Sequence, residues 1–111
     1  MNSILNDIKK LLGLDPSYTV FDQDIIIHIN SVFMILRQLG VGPEEGYKIT
    51  DANNIWSEFS EDNIFIESVK TYIYLKVKMY FDPPQNSAHA QAIQAQIAEL
   101  EWRLNVASTE D

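Results

Sequence analysis

Between residues 22 and 39 the apolar positions Ile25, Ile26, Ile29, Val32, Phe33, Leu36 and Leu39 recur at spacings that share one side of a helix. Ile27, Met34 and Ile35 carry apolar character most of the way round, the pattern of a helix central to a bundle. Asp22 is the expected N-cap, with Asp24 in the positive first turn, and Gly40, Gly42 and Pro43 stop the run. Upstream, Ile4, Leu5, Ile8, Leu11 and Leu12 line one face of a short helix predicted over residues 2–12. Gly13 offers a left-handed C-cap and Asp15-Pro16 a turn.

Residues 64–81 fit two periods. Ile73, Leu75, Val77, Met79 and Phe81 alternate with polar or aromatic neighbours, as in a strand, whereas Ile66, Val69, Ile73, Val77 and Tyr80 form a helical stripe. A run this long without Gly or Pro exceeds ordinary strand length, so a helix is predicted, ended by Asp82-Pro83-Pro84. Residues 87–106 would make a helix about 30 Å long. Ala90, Ile93, Ile97, Leu100 and Leu104 are spaced 3, 4, 3 and 4, a seam of coiled-coil type. Ala88, Ala92, Ala95, Ala98, Trp102 and Val106 form a second stripe opposite it, with Gln91, Gln94, Gln96, Glu99, Glu101 and Arg103 on the flanks. One face can pack on its own domain, while the other suits a neighbouring subunit. The fold predicted is all-α, a small bundle of about four helices in a single domain over residues 1–111.

Charge changes the picture in one segment. Residues 41–63 hold Glu44, Glu45, Asp51, Glu58, Glu61 and Asp62 against Lys48 alone, a local net of −5 within a chain whose net charge is −8. Residues 46–49 and Ile55-Trp56 could pair as a small hairpin around residues 51–54, so the segment is expected to be an acidic ordered loop or hairpin insertion between the central helices. The plain reading is a solvated loop; the sharper one is a surface that faces a polyanion without holding it. A chain this acidic is not a generic nucleic-acid coat, which needs cations to displace counterions.

Chemistry has little to work with. The absence of cysteine excludes disulfides, thiolate metal sites and thiol catalysis. His28 and His89 lie in separate helices without metal-ligand spacing and read as structural or surface residues. No nucleophile elbow, glycine-rich phosphate loop or EF-hand pattern occurs, and adjacent carboxylates such as Glu44-Glu45 and Glu61-Asp62 would point apart. No enzyme, cofactor or metal is expected. An enzymatic reading would need two carboxylates converging from residues 44–62 and the following helix. Asp7, Lys9 and Lys10 interrupt the N-terminal apolar pattern, unlike a signal peptide, and no stretch approaches a membrane span. Lys70, Lys76 and Lys78 occupy a flank, either solvated or paired with a neighbour's acidic loop. Tyr72, Tyr74 and Tyr80 read as core and interface rings. Trp102 is either an interaction anchor or simple core packing.

Several strings, taken together, resemble the small head–tail connector (adaptor, or head-completion) proteins of tailed bacteriophages. They are the short N-terminal helix, DQDIIIHINSVFMILRQLGVGP, IESVKTYIYLKVKMYFDPP and IAELEWRLNV. The resemblance spans Ile4 to about Val106 and is weakest over residues 44–63. It implies a structural virion protein in the neck between capsid and tail, made in the bacterial host's cytoplasm. It implies a ring, typically of twelve subunits, that docks on the portal, extends the DNA channel and meets a tail-side stopper or tail-completion protein. Passing double-stranded DNA would not be bound sequence-specifically. Carried onto this chain, Ala95, Ala98, Trp102, Arg103 and Val106 would meet the portal or the next subunit, with residues 107–111 a flexible tail. Glu44, Glu45, Asp51, Trp56, Glu58, Glu61 and Asp62 would make channel or loop contacts. The alternative is a small acidic phage regulatory protein of DNA-mimic or anti-repressor type.

Overall fold

In the computed structural model, which describes residues 3–109, four α-helices follow in order: α1 (Ile4–Leu11), α2 (Asp22–Gln38), α3 (Asn63–Phe81) and α4 (Ser87–Thr109). The expected all-α bundle is therefore present. The start foreseen at residue 2 lies outside the described residues. α3 is the hub, packing against α1, α2 and α4, and α1 also packs on α2. The molecule is a slab with principal extents of 40 × 36 × 20 Å.

The stripes read from the sequence form the core. Ile25, Ile29, Val32, Phe33 and Leu36 of α2 are buried together with Ile4, Leu5 and Ile8 of α1 and with Val69, Ile73 and Val77 of α3. The ambiguous third segment is helical because Tyr72, Ile73 and Leu75 all find buried surroundings on a helix touched from several sides. A strand would turn every second residue of this segment to one face.

Two helix ends are built on glycine. Gly13 has φ +85° and Gly40 has φ +81°. Leu14 N donates to Lys9 O and Val41 N donates to Leu36 O, each at 2.8 Å, the long bond of a Schellman close. Gly42, at φ +93°, has no alternative residue, because a Cβ there would lie 2.4 Å from the Phe59 ring.

Asp22 departs from its expected role. It is the first residue of α2, preceded by Phe21 in the cap position, and its carboxylate pairs at 2.8 Å with Lys9. The fully buried Lys9 ammonium claims the carboxylate that would otherwise have capped the helix.

The hairpin does not form among the described residues. Asn30 of α2 accepts from Ile49 N at 2.8 Å and donates to Ile49 O at 3.0 Å, which occupies the groups a partner strand would need. Ile55 instead makes an isolated antiparallel bridge with Ser3, and residues Trp56–Glu58 form one 3-10 turn. The flexible tail also needs correction. α4 continues through Ala107 and Ser108 to Thr109, with the Ser108 hydroxyl 3.0 Å from Leu39 O. The tail residues Glu110 and Asp111 lie outside the described residues.

Candidate interaction surfaces

The last helix has the two unlike faces its periodicity predicted. Ile93, Ile97 and Leu104 are buried, and Ala90 and Leu100 are partly so. On the opposite side Ala88, Ala92, Ala95, Ala98 and Trp102 are exposed, Trp102 at 67%. Of the two readings of Trp102, core packing within its own subunit is thereby excluded. Arg103 is exposed and forms an i,i+4 pair with Glu99 at 2.7 Å. Val106 is half-buried.

The flank of α4 holds a contact the sequence did not reveal. Glu101 accepts a 2.7 Å hydrogen bond from the hydroxyl of the fully buried Tyr72. Burial, with this carboxylate as its partner, pushes the Tyr72 phenol well above its ordinary value. Farther along, Asn105 Nδ2 donates to Leu39 O at 3.1 Å, so the end of α4 caps the end of α2.

The acidic segment is ordered by its own side chains. Asn54 Oδ1 accepts from Thr50 N at 2.7 Å, and Asp51 Oδ1 accepts from Asn53 N at 2.8 Å. Glu58 accepts from the Tyr47 hydroxyl at 2.7 Å and from Asn54 Nδ2 at 3.1 Å. The Tyr47 bond, followed by that of Asn54, holds the Glu58 carboxyl below its ordinary value. Burial and the same bond raise the Tyr47 phenol. Asp62 caps α3, accepting from Ile64 N and Phe65 N at 3.1 Å each. Three of the six acids therefore shape the loop. Glu44, Glu45 and Glu61 are exposed and make no side-chain hydrogen bond or ion pair among the described residues.

Trp56 belongs with the core rather than with surface contacts. It is 4% exposed, donates through Nε1 to Asp7 at 2.8 Å, and has Lys70 Nζ over its ring at 5.5 Å. The cations of α3 find partners within the chain. Lys70 lies 3.5 Å from Asp7, Lys76 lies over Tyr80, and Lys78 pairs with Asp82. His28 packs against Tyr80 at 5.4 Å between ring centroids, and His89 sits exposed in the first turn of α4.

One concavity opens between α2 and the loop. It encloses about 410 Å³ and is walled by Phe33, Met34 and Tyr47, with Asn30, Arg37, Lys48 and Glu45 around it. It presents a single carboxylate, so the paired carboxylates a hydrolytic reading needs do not meet there. Among the described residues no group of His, Asp and Glu side chains could hold a metal ion. No helix among them is long and apolar enough to cross a membrane.

No curated protein and no solved structure matches the chain. The family model described as phage connector protein matches residues 4–111, nearly the whole chain. Such a protein is a structural component that assembles with portal and tail proteins in the virion. The match runs through all four helices, and the chain belongs to the phage connector protein family.

Proposed function

We propose that the chain forms a ring in the virion neck that docks on the portal, extends the DNA channel and receives the tail-side completion protein. The observation that carries this reading is the outward face of α4. Four exposed alanines and the 67% exposed Trp102 lie opposite the face that packs on α3. Small residues allow close approach, and an exposed tryptophan is the side chain most often found at the energetic centre of an interface. Ala95, Ala98, Trp102, Arg103 and Val106 then meet the portal or the next subunit. A closed ring requires two different surfaces on each subunit, and the loop side of α2 supplies the second. Glu44, Glu45 and Glu61, with no side-chain partner among the described residues, leave their charge toward whatever passes. A duplex repelled by such a lining slides without being held, because no counterions are released.

The test mixes purified chain with portal rings and with finished particles. Co-sedimentation with portal, density for the chain in the neck of imaged particles, and no retention of duplex DNA at low salt are expected. A chain that ignores portal yet captures a repressor or nuclease with steep salt dependence supports the acidic regulatory reading, which the net charge of −8 favours.

A further inference from the structure

The concavity beside α2 is built from groups that suit an aromatic ring. Tyr47 presents ring surface and Met34 a thioether above the buried Phe33 ring, while Arg37 and Lys48 stand at the rim. Aromatic walls and sulfur favour a flat ring, and cations favour its face. Arg37 is already steadied, because its Nε donates to Glu44 O at 3.1 Å. The space of about 410 Å³ is roomy enough for an indole. Trp102 is the most exposed aromatic side chain among the described residues.

We propose that Trp102 of one copy seats in the Phe33–Met34–Tyr47 cavity of the next copy, an inference that rests on the ring reading above. Three features of the molecule support the pairing. Met34 lies on the side of α2 turned away from the buried stripe, being 65% exposed, and Trp102 lies on the side of α4 turned away from α3. Each copy thus carries one knob and one socket on different helices, and the contact is heterologous. Both surfaces also sit at the same end of the bundle. Asn105 touches Leu39 O. Counting about 1.5 Å per residue back from that contact, Trp102 lies about 4.5 Å away and Met34–Arg37 about 3–7.5 Å away. Knob and socket thus both lie near the point where α2 and α4 are joined. Finally, Arg37 and Lys48 give the rim of the cavity a positive balance over Glu45, which suits the electron-rich face of an indole.

Two variants of the full chain test the junction by sedimentation. Trp102→Ala removes the knob and keeps the socket; Met34→Glu closes the socket at an exposed position and keeps the knob. Wild-type chain is expected to associate beyond pairs with rising concentration. Each variant alone is expected to associate at least about 30-fold more weakly. Their equimolar mixture is expected to form one-to-one pairs and nothing larger, since only one intact junction is left. Wild-type chain that stays monomeric, a variant that associates like wild type, or a mixture without pairs would each overturn the proposal. Normal necks built from Trp102→Ala chain would remove this junction and leave the connector reading standing. Absence of wild-type chain from the neck would remove the reading itself.

Discussion

The ammonium of Lys9 is fully buried, is met by Asp22 Oδ1 at 2.8 Å, and donates to Pro16 O at 2.8 Å. Asp22 Oδ1 has no other polar partner among the described residues. The pair locks α1, the Asp15-Pro16 turn and the first turn of α2 into one unit. Removing one member of such a pair costs more than replacing both members together by apolar groups. Asp22→Ala is therefore expected to lower unfolding free energy by about 3 kcal/mol, because it strands a buried cation. The double variant Lys9→Met/Asp22→Leu is expected to stay within about 1 kcal/mol of wild type, since it replaces both ions and strands neither. Urea midpoints at constant slope check both. The sequence held a signal for this pair. Lys9 falls on the apolar side of the first helix, beside Leu5, Ile8 and Leu12. Its partner, beyond an intervening turn, was not legible, because periodicity reports faces and not which charges meet.

At the scale of elements, helices were legible and the loop was not. The stripes on α1, α2 and α4 follow from 3.6-residue spacing, and Gly13 and Gly40 mark real ends. The hairpin reading failed because strand pairing is decided by where backbone groups find partners. Here the Asn30 side chain, far away in sequence, takes those of Ile49. The Tyr47–Glu58 bond gives this loop a pH dependence with two limbs. The Glu58 carboxyl lies below its ordinary value of 4.5, so its contribution is present above that pH and is lost as pH falls through the lower folded value. The Tyr47 phenol lies above 10.0, so its contribution is present below that pH and is lost as pH rises through the higher folded value. Near-ultraviolet dichroism from the packed Phe33, Tyr47 and Phe59 rings is expected to weaken as pH falls below the ordinary carboxyl value of 4.5 and Glu58 takes up its proton. In Glu58→Gln this acid limb should vanish, because no charge is left to lose.

Across the whole molecule, the two opposed stripes of α4 were the part of the interaction surface that could be read in advance, since both obey one helical period. The cavity beside α2 was invisible beforehand. It exists only because the loop folds over Phe33, and loop placement has no periodic signature. Trp56 was misplaced for a related reason. An aromatic residue in an acidic stretch looks exposed until Asp7, from the other end of the chain, accepts its indole hydrogen. Trp102 has no such partner among the described residues, so Trp102→Ala is expected to keep the wild-type unfolding free energy to within about 0.5 kcal/mol while losing assembly. Calorimetry and sedimentation separate those effects. The carbonyl of Leu39 receives both the Asn105 amide and the Ser108 hydroxyl, which tethers the two helix tips like a tie-rod. A grip on the outer side of the last helix is thereby transmitted to the turn at Gly40 and Val41. Amide exchange at those two positions should slow when a partner binds, although the partner never touches them.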